Sequence, residues 1–484
     1  MHLAPRLRAR AASIAAVAAA AALVSLQLFV PPIVGLANNG DYGRMMDYAG
    51  VRYRPGTTSE QMYFLNIQRE FELVRPVRSG TGYLSSEAGL ALAGRLVGQA
   101  FSRNGLFDIR ALGAVHAAVL LAALWLLTNC VRARPAATRW TAAALAVFFF
   151  TDVGYVAPFN SFYSQVAALL FCLLTFGIAA EGIARGGLSG AWLAAFFVSA
   201  ALFVAAKPQE SLHAPLLAVL GWRLASRHRG TRRAAAWAGV ALCAFGVWYY
   251  AQTPRRAIKD VALFHTVFME ILPKSPDPAA DLDALGLDRA LLRYRGMNAY
   301  LPEAPLDDPA FRAAFYDRFR VRNLVLFYAA RPGRMLGRAR EGARQAFMLR
   351  TPGLGNFEAP APPRSMDRRF GRWSDLRKRL DRHGLLWMTL LLGGNLAFAA
   401  ATWRRAGAAG RLLRETAAVL CVMALLEFGV AVFADWLGDT ARHLYVFHAM
   451  CDLLIALDVA WAVDAVARRR AARAFPESPA SVAP

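Results

Sequence analysis

Apolar residues in this chain come in blocks of roughly twenty, separated by arginine-rich stretches. A block of that length is what an α-helix needs to cross the hydrocarbon of a bilayer, where every backbone polar group must be bonded internally. Composition agrees. The 484 residues are 57% hydrophobic and 18% charged, less charge than a soluble chain of this size carries. The fold class expected is therefore an all-α polytopic membrane protein with about ten transmembrane helices. The net charge of +23 does not make this a nucleic-acid-binding chain, because most arginines flank the apolar blocks. Five cysteines, Cys130, Cys172, Cys243, Cys421 and Cys451, lie in or beside apolar segments without metal-ligand spacing, as buried thiols do.

The spans are expected near 11–31, 108–130, 139–157, 162–181, 189–206, 210–226, 234–251, 384–403, 413–434 and 444–466, within roughly two to four residues at each end. The first could be a secretory signal, but Pro31 and Pro32 break it before the small residues that follow, and an uncleaved anchor is preferred. With Arg6, Arg8 and Arg10 in the cytoplasm, each later cytoplasmic segment is also basic. Arg132, Arg134 and Arg139 form one, Arg185 the next, Arg223 to Arg233 another, then Arg404 to Arg414, and finally Arg468 to Arg473. Both termini then lie in the cytoplasm. This divides the chain into an N-terminal membrane module, 1–251, a large loop domain outside the cytoplasm, 252–383, and a C-terminal membrane module with a tail, 384–484. The first module carries a second large outer loop, 32–107. There, Ser85-Ser86-Glu87 reads as a helix start, followed by Ala88, Ala91, Leu92 and Leu96 on one face. Tyr63 to Leu73 is ambiguous between strand and helix, and a helix is expected around Phe311 to Phe327.

That topology gathers polar residues at the outer ends of the spans. Asp41, Arg44 and Asp47 follow span one. Asp152, Asn160, Tyr163 and Gln165 lie between spans three and four, and Lys207, Gln209, Glu210 and His213 between spans five and six. Asp435, Asp439, Arg442 and His443 precede span ten. Ionisable residues at such places are functional candidates. The plainer roles are a solvated turn for Asp41, headgroup contact for Lys207 and Arg442, and a helix cap for Asp439. The chemistry that suits the whole set is glycosyl transfer from a lipid-linked donor. An acceptor hydroxyl must give its proton to a base such as Asp41, and a departing lipid phosphate needs a cation such as Lys207, Arg442 or His443. Arg44, Asp47, Asp152, Asn160, Tyr163 and Glu210 complete the candidate substrate-binding set. The chain has no HExxH, CxxC, P-loop or Gly-x-Ser-x-Gly motif.

Asn39-Gly40-Asp41-Tyr42-Gly43-Arg44, Phe159-Asn160-Ser161-Phe162-Tyr163, Ser275-Pro276-Asp277-Pro278 leading to Leu285-Gly286-Leu287, and Ala441-Arg442-His443-Leu444 resemble bacterial surface-glycan hexose transferases. More broadly, the layout resembles the GT-C class of membrane glycosyltransferases. The resemblance implies a bacterial inner-membrane protein with Asp41 as catalytic base. It also implies a polyprenyl-phosphate-linked sugar donor and a glycan or lipid-linked acceptor, amid membrane lipids. Many members show two adjacent acids in the first loop. Here the next acid after Asp41 is Asp47, so no metal ligand is assigned, although the resemblance leaves room for a divalent cation. Two rival readings stand beside the enzyme. One is a lipid-glycan transporter or flippase, which the placing of charges away from mid-span disfavours. The other is a non-catalytic assembly protein with 252–383 as its docking domain.

Overall fold

The computed structural model describes residues 3–78, 83–101, 105–435, 438 and 440–474. Asp439, expected to cap a helix, lies outside the described residues. Among the described residues, seven helices are long and apolar enough to cross a membrane: Leu7–Leu28, Arg110–Asn129, Gln165–Arg185, Arg229–Gln252, Asp381–Thr402, Ala408–Phe433 and Tyr445–Ala471. An eighth is bent. Ala136–Phe150 and Val153–Phe159 meet at 58°. The break follows from Asp152, whose carboxylate accepts the Gly154 amide at 2.8 Å and so starts a new helical turn.

The expected count of about ten is not reached because two segments are short. Gly190–Val204 has 15 residues and Ala214–Leu224 has 11. At 1.5 Å per residue, even the longer is about 22 Å, short of a hydrocarbon core of about 30 Å. Pro208 opens the 3-10 turn Pro208–His213 between them. Non-helical backbone of this kind is stable at depth only when protein covers it, and Pro208, Glu210, Ser211 and His213 are all buried.

Gln165–Arg185 is the central helix. It is buried along nearly its whole apolar length, so it faces protein rather than lipid on nearly every side. Leu169, Leu170, Cys172 and Leu173 are wholly enclosed. Several acids sit inside candidate spans; Glu427 in Ala408–Phe433 and Asp452 in Tyr445–Ala471 are buried there, and Asp458 stands at the middle of the latter, which corrects the expectation that charges avoid mid-span positions.

The first large loop folds over one end of the bundle. Tyr42–Ala49 is a helix, and β1 (Val51–Arg52), β2 (Glu70–Leu73) and β3 (Leu106–Asp108) make a small antiparallel sheet with Val51 opposite Leu73 and Phe71 opposite Phe107. The ambiguous Tyr63–Leu73 stretch is thus strand only at its end. The expected helix is present as Ser86–Phe101. Its four apolar residues divide, however. Ala88 and Ala91 are buried, while Leu92 and Leu96 are exposed. Gly94 lets this helix pack closely on Arg110–Asn129, since a Cβ there would fall 2.8 Å from the Leu112 Cα.

The segment after Gln252 has its own core. Phe264, Phe268, Phe311, Phe315, Phe319 and Phe327 pack together with Leu282, Leu285 and Leu287. The single helix expected from Phe311 to Phe327 is two, Pro309–Ala314 and Val321–Ala329. Asp277 starts the Ser-Pro-Asp-Pro helix by accepting the Ala280 amide at 3.0 Å. Tyr328 joins this unit to the bundle through an edge contact with Phe433 at 5.2 Å.

Candidate functional site

Asp41 stands where a helix-capping side chain would, at the start of Tyr42–Ala49, but its carboxylate does not cap. Asn38 does that work. Its Oδ1 accepts the amides of Gly40 at 2.7 Å and Tyr42 at 3.2 Å. Gly40 carries φ +112°, a backbone state that a side chain resists. The freed carboxylate meets Arg44 at 3.0 Å and also pairs with Arg442, which reaches it from the segment before the last span. Its side chain keeps 26% exposure, so the acid is supported yet reachable.

Tyr163 ties these pieces together. Its hydroxyl accepts the Asn39 amide at 2.9 Å and lies 2.7 Å from the Ala37 carbonyl oxygen, while the Arg442 guanidinium sits 5.4 Å from its ring centre. Lys207 comes within Coulombic reach of Asp41, Arg442, Glu210 and Glu427. Its ammonium has no carboxylate at ion-pair distance among the described residues. Tyr300, from the late loop, is in Coulombic reach of Asp41, Arg44, Asp435 and Arg442. Tyr83 bonds Ser164 at 2.7 Å; burial raises its phenol pKa, and the nearby Arg44 charge opposes that rise.

Five residues proposed from the sequence therefore meet at one end of the bundle: Asp41, Arg44, Tyr163, Lys207 and Arg442. His443 is adjacent, 3.7 Å from Asp435 and with its carbonyl oxygen 3.5 Å from Gln209 Nε2. Glu210 lies deeper and fully enclosed, grouped with His213 and Glu427. Those three are the residues able to hold a metal among the described ones.

Three others serve the fold. Asp47 closes the end of its helix through its carbonyl oxygen, which accepts the amides of Gly50 at 3.2 Å and Val77 at 2.9 Å. Asn160 donates to Leu28 O at 3.1 Å and Val34 O at 2.8 Å, fixing the exit of the first span. Asp152 receives the amides of Trp373 at 2.9 Å and Ser374 at 3.0 Å. It is buried in these contacts and carries no group toward the Asp41 cluster.

Sequence reasoning missed Glu427, and gave His213 and Gln209 no role beyond their polarity. Glu427 had a signal: it is the one acid in the apolar run from Val419 to Val432. Tyr83 and Tyr300 had none, because their place depends on how distant loops fold.

No curated protein and no solved structure matches this chain. A family match does cover residues 4–477, under the description YfdI N-terminal transmembrane domain. Together with the apolar helices this makes the chain a multi-pass membrane protein. By the extent of that match, the chain belongs to the YfdI N-terminal transmembrane domain family.

Proposed function

We propose that this protein is a membrane glycosyltransferase of GT-C type, moving a sugar, by resemblance a hexose, from a polyprenyl-phosphate donor to an envelope glycan or lipid-linked acceptor. The observation that carries the reading is the partly exposed Asp41 carboxylate flanked by Arg44 and Arg442, with Lys207 nearby. The acceptor hydroxyl passes its proton to Asp41 as its oxygen bonds the anomeric carbon. The bond from that carbon to the phosphate oxygen breaks, and the lipid phosphate leaves with the electron pair. Lys207 and Arg442 meet the charge that develops on it. Family membership supports the reading, since the family's namesake is described as glycosyltransferase-like.

The transporter reading gains support from buried acids within spans, Glu427 and Asp452. Both are bonded to neighbouring side chains, as parts of a packed interior are. The enzyme is the better account.

The leaving-group role has a direct test. Lys207→Ala removes one charge-assisted contact, worth on the order of 1.5–3 kcal/mol, and should reduce use of a polyprenyl-phosphate sugar roughly ten- to a hundred-fold. Unchanged donor dependence would assign Lys207 to lipid headgroups.

The proposed site faces away from the cytoplasm. Glu303, exposed on the late loop, gives a position to probe that. In a background lacking the native cysteines, Glu303→Cys should react with a membrane-impermeant thiol reagent in intact spheroplasts. Labelling only after lysis would reverse the topology.

A further inference from the structure

Below Asp41, a second polar group is built into the protein interior. Glu210, His213 and Glu427 place one ligand atom each within 4.8 Å of one another. Glu210 is 0% exposed, His213 1% and Glu427 2%. Glu427 is six residues before the end of Ala408–Phe433, about 9 Å along the helix axis. His213 Nε2 lies 2.6 Å from Glu427 Oε1 and 3.6 Å from Glu210 Oε2. Glu210 and His213 are three apart on a 3-10 turn, where such residues eclipse and point the same way.

Neither carboxylate oxygen of Glu210 makes a well-formed hydrogen bond, although Glu427 and Gln209 lie close enough to interact with it, and His213 Nδ1 is buried without a partner. An enclosed carboxylate with unmet oxygens is costly, and either a proton or a cation has to answer it. The surroundings prepare for a cation. The Phe203 ring stacks on His213 with centroids 5.6 Å apart, fixing the imidazole plane. Gln209 Nε2 donates to Glu427 Oε2 at 2.8 Å and turns Oε1 toward the group, much as outer-layer partners orient metal ligands.

We propose that Glu210, His213 and Glu427 form a binding site for a divalent transition-metal ion, zinc or manganese. Two carboxylates offset the charge of a dication. The imidazole disfavours magnesium and calcium, which prefer all-oxygen shells. Three protein ligands leave a coordination position open. Lys207 interacts with both carboxylates and competes with the ion for their charge.

The test uses the purified full-length protein in detergent, stripped with chelator and titrated separately with Zn²⁺ and Mn²⁺. Elemental analysis after desalting should find about one tightly held ion per chain for at least one of them, together with a rise in unfolding temperature. Glu210→Gln and Glu427→Gln, nearly isosteric, should each weaken binding by about tenfold or more, and Lys207→Met should strengthen it. Asp41→Asn should keep the ion, so this result does not depend on whether the protein transfers sugar. The opposing outcome is a proton shared by the two carboxylates. The wild type then holds no ion, and Glu210→Gln leaves the unfolding temperature unchanged or raised. Ion retention that Glu210→Gln does not alter would equally overturn the site. Should the glutamine variants fail to fold, absence of a saturable ion in both the wild type and Lys207→Met would do the same.

Discussion

Asp41→Asn should lose glycosyl transfer by about 10²–10⁴-fold, the usual worth of a positioned acid or base, while inserting at wild-type abundance. Asparagine has nearly the shape of aspartate and can still accept hydrogen bonds from Arg44 and Arg442, but it cannot take the acceptor proton. The fold does not depend on this carboxylate, because Asn38 caps the following helix in its place. Asp47→Asn is the control. Asp47 closes its turn through backbone oxygen, which the substitution leaves intact, so transfer should change far less. Complementation of the glycan phenotype in cells, with protein level checked by blot, reads both. Full activity of Asp41→Asn at normal abundance would remove the enzyme mechanism and favour an assembly or transport role.

Most of the helical architecture can be read from the sequence, because apolar block length maps directly onto the thickness of a bilayer. The two short helices around Pro208 could not be read that way. Hydropathy averaged over a window registers that a segment is apolar, but not where its helix stops. The Asp41 cluster was legible in part for a similar reason. Charges at the ends of apolar blocks fall on one side of a bundle once the topology alternates, and Asp41, Arg44, Lys207 and Arg442 were all visible in that way. Their pairing was not, since Asp41 and Arg442 are 401 residues apart. Asp152 shows the opposite failure. It stood out as a polar residue at a span end, but its partners are the backbone amides of Trp373 and Ser374, 221 and 222 residues away. A backbone amide leaves no mark in a sequence. Asp452 was missed altogether, although an acid inside an apolar helix is itself a sign that something must bond it.

Asp452 should also be a large contributor to stability. It is fully enclosed, and it accepts from Arg377 Nη1 at 2.5 Å, Tyr155 Oη at 2.6 Å and Trp373 Nε1 at 2.8 Å. Arg377 in turn donates to His448 Nδ1 at 2.8 Å and to the Ala346 carbonyl oxygen at 3.2 Å. Asp452 and His448 belong to the last span, Tyr155 to the bent helix, and Trp373, Arg377 and Ala346 to the late loop. The network therefore fastens that loop onto the membrane helices beneath it. Asp452→Leu would leave a buried guanidinium with no counter-charge, at a cost of about 3–5 kcal/mol. In the double variant Asp452→Leu/Arg377→Met both charges are gone and most of the volume remains. It should regain a large part of that loss, because an apolar pair in place of a buried ion pair is often near neutral. Thermal unfolding of the detergent-solubilised protein should rank wild type highest, the double variant next and Asp452→Leu lowest. A double variant as unstable as the sum of its two single changes would show that the hydrogen bonds to Tyr155, Trp373 and His448, rather than the paired charges, hold the loop in place.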